Sequence, residues 1–308
     1  ITIPGNSTSV VNITLGNTIA EELTIGGTAT PEAENALECT GNAEGDCTIT
    51  YNDSGFLLAF KDHEPINGIE SCTNDKLITI QAVKISDSGT SCAPVYTDDN
   101  DVNFEVEFVS PASATGDPLV YPAIAMQPLS ASATTINIDF DEDAYAELSF
   151  QYDEAGQINI RATDPDNANG LSDGELSTVV YPAKLKVTSN TSDHECSDTS
   201  APYNNCSKFV AAGAPFNLTV TAHCDDPDET QTNNFSIAGV NLTIEKVEPS
   251  EGANGNLEET TIDITNGVGS SNTQAINEVG IFTINAKKIT SYLTKNINVE
   301  GGTLENIG

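Results

Sequence analysis

Three histidines, a set of acidic turns and seven cysteines are the residues through which this 308-residue chain could do chemistry. His63, His194 and His223 each stand among carboxylates: Asp62/Glu64, Asp193/Glu195 and Asp225/Asp226. A histidine in that setting becomes a catalytic base only beside a positioned nucleophile and donors for the developing oxyanion. No nucleophile-elbow sequence is present. With 46 Asp plus Glu, paired carboxylates carry no glycosidase signal either. The expectation is a chain that is not an enzyme.

The acidic turns point to a cation instead. Asp164-Pro-Asp166-Asn-Ala-Asn169-Gly170-Leu-Ser-Asp173-Gly-Glu175 sets hard oxygen donors around a glycine turn, the ligand chemistry of Ca2+. Its spacing departs from that of an EF-hand loop. Asp164, Asp166, Asn169, Asp173 and Glu175 are therefore the candidate metal ligands, and Ca2+ is the one cofactor the residues suggest. Two further acidic turns, Asp139/Asp141/Glu142/Asp143 and Asp98-Asp-Asn-Asp101, read as solvated.

The cysteines lie at 39, 47, 72, 92, 196, 206 and 224, and no pair has the C-x-x-C spacing of a zinc or redox site. Their separations suit disulfides and an oxidising, extracellular compartment. Pairing near neighbours (Cys39 with Cys47, Cys72 with Cys92, Cys196 with Cys206) leaves Cys224 as a free thiol, although spacing alone does not determine connectivity.

These residues must be positioned by strands. Val102, Phe104, Val106 and Phe108 alternate with Asn103, Glu105 and Glu107, and similar alternation recurs at Ile136/Ile138/Phe140, Leu148/Phe150/Tyr152, Phe216/Leu218/Val220/Ala222 and Val240/Leu242/Ile244. Gly, Asn, Asp and Pro punctuate the runs, and no segment has a convincing helical period. The fold class expected is all-β. Blocks also repeat in order. Tyr152-Asp-Glu-Ala-Gly156 through Ala162 matches Ile276-Asn-Glu-Val-Gly280 through Ala286; Val106 to Pro111 matches Ile244 to Pro249; Ile78 to Ala82 matches Leu218 to Ala222. The repeat predicts tandem immunoglobulin-like β-sandwiches over 31–181 and 182–290, joined at Tyr181-Pro182, with 291–308 as an extension. Residues 1–30 form an additional N-terminal strand segment. It is either the end of a preceding sandwich or a donor strand, in which Ile1, Ile3, Val11, Ile13 and Leu15 would complete a neighbouring subunit.

Charge and composition narrow the partners. A formal net charge of −35 opposes nucleic acid and anionic lipid, and no apolar run is long enough to span a bilayer as a helix. The absence of Trp argues against an aromatic glycan platform, leaving calcium-dependent binding of surface glycans as a minor alternative.

Cys47-Thr-Ile-Thr-Tyr51-Asn-Asp-Ser-Gly55-Phe56, Ser71-Cys72, Ile78-Thr-Ile-Gln-Ala-Val83 and Cys92-Ala-Pro94 resemble the C-terminal region of the MshQ family, as do Tyr152-Asp-Glu-Ala-Gly156-Gln-Ile and Asn277-Glu-Val-Gly-Ile281. MshQ proteins are surface proteins encoded with a type IV pilus. The resemblance implies an extracellular, pilus-associated adhesin or stalk whose partners are pilus components or other copies of itself. It transfers no catalytic residue. A filament subunit assembled by strand donation is the alternative.

Overall fold

The computed structural model describes residues 21–24, 48–51, 54–61, 67–73, 75–86, 92–116, 118–121, 127–129, 131–166, 169–189 and 208–307. Every named element among them is a strand. β1 (Glu21–Thr24) pairs antiparallel with β2 (Thr48–Tyr51), so the N-terminal segment meets a strand beyond the boundary expected at residue 30. The proposed donor residues Ile1, Ile3, Val11, Ile13 and Leu15 lie outside the described residues.

The first sandwich sets two sheets over one core. One sheet runs β10 (Thr134–Phe140), β7 (Asp98–Ser110), β12 (Gly156–Thr163), β13 (Gly174–Tyr181), β4 (Ile69–Glu70). The other runs β3 (Ser54–Phe60), β5 (Lys76–Ile85), β11 (Tyr145–Gln151), β8 (Leu119–Tyr121), β9 (Gln127–Pro128), with β6 (Cys92–Pro94) also on β5. The alternation holds: Val102, Phe104 and Val106 are buried while Glu107 is exposed. Each buried side chain of that size contributes about 1.5–3 kcal/mol relative to exposure.

The second sandwich rebuilds the same frame. β14 (Lys184–Thr188), β15 (Phe216–His223) and β18 (Val268–Gln274) form one sheet, and β17 (Thr261–Ile264), β16 (Ile237–Glu248), β19 (Ile281–Ala286) and β22 (Thr303–Ile307) the other. The match extends to single hydrogen bonds. Ala82 N donates to Ala144 O at 3.1 Å and Ala222 N to Gly267 O at 3.0 Å; Phe56 N donates to Ser172 O at 3.0 Å and Leu185 N to Glu300 O at 2.8 Å. Cis bonds precede both Pro111 and Pro249. Opposite them, Gly156 and Gly280 have φ of 139° and 149°, and a Cβ there would lie 2.4 Å from Ser110 O and 2.5 Å from Glu248 O. Only glycine permits that approach.

One boundary is corrected. Residues 291–308, expected as an extension, include β21 (Lys295–Val299) and β22, whose Ile297, Val299, Leu304 and Ile307 belong to the second core. β22 is the counterpart of β13. The periodicity was lost there because a hairpin, β20 (Ile289–Tyr292) with β21, lengthens the connection from β19.

Candidate functional site at the joint of the sandwiches

The polar side chains that the fold brings together lie where the sandwiches meet. β4 runs parallel to β13, with Val180 opposite Ile69 and Tyr181 opposite Glu70, so the chain just after β4 arrives where β13 crosses into the second sandwich. Ser71 N then donates to Tyr181 O at 2.8 Å and Cys72 N to Tyr152 O at 3.0 Å. Cys72 adopts a positive φ of 63°. Cys224 follows β15 from the other side, fully buried, and forms a disulfide with Cys72 across a Cα–Cα distance of 5.8 Å. Ser71 Oγ packs 3.3 Å from Cys224 Sγ.

A second clamp is made of hydrogen bonds. Asn234, nearly buried, accepts from Thr115 N (3.0 Å) and Thr115 Oγ1 (3.3 Å), and donates through Nδ2 to Thr115 O (2.7 Å) and Tyr152 Oη (3.1 Å). Tyr152 Oη also donates to Thr115 O at 3.0 Å. The Glu154 carboxylate accepts Asn234 N (2.9 Å) on one oxygen and Asn233 Nδ2 (3.0 Å) on the other. Between these bonds Ala155, fully buried, joins the hydrophobic core of the second sandwich, as does Val179. A paired, buried polar network of this kind fixes one geometry, because breaking any partner leaves a desolvated group.

Like charges oppose the joint at its edge. Burial, then the nearby Asp225 and Asp75 carboxylates, raise the Glu70 carboxyl above the ordinary range, against the lowering effect of Lys76. Lys184 relieves part of this field by pairing with Asp225 at 3.2 Å.

The sequence-derived sites distribute differently from expectation. Cys224 is not a free thiol, and Cys72 does not pair with Cys92, which is exposed and free. Proximity in sequence misled here because the parallel strand β4 carries Cys72 away from its neighbours. Cys39, Cys47, Cys196 and Cys206 lie outside the described residues. The described side chains of the acidic loop hold partners within the protein. Asp164 spends its carboxylate on the loop's own Asp166 and Asn169 N–H groups, each at 3.2 Å. Asp173 is paired with Arg161, which also stands in register with Glu175. Among the described residues no group of three or more His, Cys, Asp or Glu is placed to hold a metal. Asp141 likewise caps its own turn, accepting from Asp143 N and Tyr145 N at 2.9 Å. At His223, Nδ1 donates to Glu229 O (2.6 Å) and Nε2 lies 2.7 Å from Thr221 Oγ1, so both ring nitrogens hold the β15 terminus. Sequence reasoning missed Glu154 and Asn234. Glu154 was visible as part of the repeated turn, but nothing marked Asn234 as its partner.

Residues 36–176 match the family described as a domain of unknown function (DUF6701), first Ig-like domain, and residues 181–274 match its second domain. No curated relative matches the chain. Among solved structures, the D0-D1 domain of intimin is 12% identical, with 81% of this chain and 97% of that chain covered at a TM-score of 0.23. Invasin, a bacterial integrin-binding protein, is 12% identical, with 82% of this chain and 39% of that chain covered at 0.30. The Yersinia pseudotuberculosis adhesin InvE is 13% identical, with 82% and 58% covered at 0.33. The chain thus spans less than two thirds of invasin and of InvE.

Proposed function

We propose that this chain, which carries the first and second domains of DUF6701, is a non-enzymatic extracellular stalk or adhesin module that holds two immunoglobulin-like sandwiches in one fixed relation. The observation that carries the reading is the joint. A disulfide closing 152 residues of separation and the buried Asn234–Thr115–Tyr152–Glu154 network cross it together. Interfaces between domains usually permit relative motion unless they are large and apolar; a covalent bond at one point and a paired polar cluster at another remove that freedom. A disulfide in such a place suits an oxidising exterior. The acidic surface, with 46 acids against 11 basic residues, keeps a displayed rod hydrated and apart from nucleic acid and anionic membranes.

The finer assignment, association with a type IV pilus, rests on the resemblance of Cys47–Phe56, Ile78–Val83 and Cys92–Pro94 to MshQ proteins. Its partners would then be pilus components or surface receptors met through protein contacts. Fractionation and protease shaving of source cells, with and without their pili, test both levels. Surface exposure that depends on pili is expected. A chain confined to the cell interior sinks the whole reading, and surface exposure indifferent to pili removes only the pilus.

A further inference from the structure

The joint leaves one end of β15, at Cys224; the opposite end, at Phe216, opens on a feature with no use so far. A cleft of about 410 Å³ is lined there by Phe209, Val210, Ile276, Val279, Phe282 and Ile307. Val279 is 69% exposed, more than any other large apolar side chain among the described residues. Its position in the repeat is telling. Ile276-Asn-Glu278-Val279-Gly280 is the counterpart of Tyr152-Asp-Glu154-Ala155-Gly156, the turn on which the second sandwich sits. Ala155 is 0% exposed because the second sandwich covers it. Glu154 uses both oxygens to hold that sandwich's loop. The flanking loops correspond too: a Cβ on Gly116 would meet Glu154 Cγ at 2.9 Å, and one on Gly255 would meet Glu278 Cβ at 3.0 Å. In the second sandwich the turn, the carboxylate and the glycine are all in place. Among the described residues Glu278 accepts the N–H of Val279 at 3.0 Å, and no group of another sandwich.

We propose that this turn is the seat of a further immunoglobulin-like sandwich, stacked on the second as the second is stacked on the first. The incoming domain would lay an apolar base over Val279 and present loop N–H donors, from backbone and an Asn amide, to Glu278. The occupant is a tethered domain and not a separate copy, because the matching turn of the first sandwich, Glu154–Gly156, is covered by the domain that follows it in the same chain. A stable complex between free proteins buries about 1,200–2,000 Å², whereas a covalently linked neighbour arrives at an effective concentration in the millimolar range and needs far less contact. The inference rests on the stalk reading for the reason sandwiches stack at all.

The test extends the full chain after Gly308 with a second copy of residues 182–308, carrying C224S in the added copy because the counterpart of Cys72 in the seat is Gly213, whose N–H donates to Ile276 O as that of Cys72 does to Tyr152 O. Hydrogen exchange is read at the amides of 277–281, in the 308-residue chain and in the extended one. A second extended protein carries V279A, since Ala155 occupies the seat already in use. Exchange slowed at least tenfold by the extension is expected, restored by E278A or V279D. Four results overturn the proposal: unchanged exchange with both Val279 and V279A; an added sandwich that contributes no heat of unfolding; slow exchange in the monomeric 308-residue chain, which assigns the cleft to residues of the chain itself; and slow exchange with a dimer in sedimentation, which assigns it to a second copy. If the added sandwich swings free while the clamped pair stays rigid in scattering, only this inference falls and the stalk reading stands.

Discussion

Between β12 and β13 the first sandwich carries a polar loop in which Asp164 holds two backbone N–H groups. At the corresponding place the second sandwich carries the β20–β21 hairpin, which buries Ile289, Tyr292, Ile297 and Val299 in its core. Burial is deep enough to push the Tyr292 hydroxyl up to about 12, and its ring packs at a 51° tilt against Phe235 with centroids 4.8 Å apart. Phe235 adjoins Asn234, so the hairpin backs the surface that docks on the first sandwich. Where the strands must meet, the two units agree to the single hydrogen bond; where only a connection is needed, they diverge. The difference teaches that this frame accepts two unlike closing loops, one of them a packed hairpin behind the surface that docks on a neighbour.

The joint is where the comparison can be broken hardest. Replacing both Cys72 and Cys224 by serine removes a crosslink over a long loop, for which about 3–5 kcal/mol is expected. Unfolding in urea should then separate into two transitions, one per sandwich. A single transition at the original midpoint would mean that the disulfide does not couple them. Next come the paired glycines. Gly156→Ala and Gly280→Ala each force a Cβ against a carbonyl oxygen at positive φ, with an expected loss of about 2–4 kcal/mol apiece in denaturant titration. Similar losses support equivalent turns; a harmless Gly280→Ala would show that the frames differ at this point. Asn234→Ala follows, at about 2 kcal/mol, because it strands Thr115 and Tyr152 polar groups in the joint. Its effect should shrink in the protein already lacking the disulfide, and a double-mutant cycle measures that coupling. Strict additivity would separate the two clamps.

Much of the frame could be read from the residues, because burial alternates as strands require. Val102/Phe104/Val106 and Phe216/Leu218/Val220 face their cores as their spacing predicts. The duplication was readable for a related reason: Gly156 and Gly280 face carbonyls too closely for any side chain, so the sequence must repeat there. What was not readable depends on contacts far apart in the chain. The parallel pairing of Ile69 with Val180 decides that Cys72 meets Cys224, and no local pattern encodes a two-residue parallel strand. The hairpin hid the true end of the second sandwich because Ile297/Val299 and Leu304/Ile307 lie in separate short strands. The partners of the acidic loop were hidden for the same reason. Its spacing suited a cation, yet Arg161 on the adjacent strand takes Asp173, and backbone N–H groups take Asp164.

The smallest effect concerns charge at the same joint. Glu70 is held above the ordinary carboxyl range, first by burial and then by Asp225 and Asp75, so the folded chain binds this proton more readily than the unfolded one. The sign follows from linkage. The stability associated with this group is present at pH below the unfolded value of 4.5 and is lost as pH rises through the higher folded value. At neutral pH the ionised Glu70 therefore opposes the closed joint, in contrast to Glu154, whose carboxylate helps to close it. Glu70→Gln should raise the thermal midpoint at pH 7.5 by less than about 2 °C, the group being only partly buried. Below pH 4 the variant and the natural protein should melt together. A lower midpoint for Glu70→Gln at pH 7.5 would mean that attraction to Lys76 outweighs burial and the Asp225 field, and that both acids on the first sandwich's side of the joint act in the same direction.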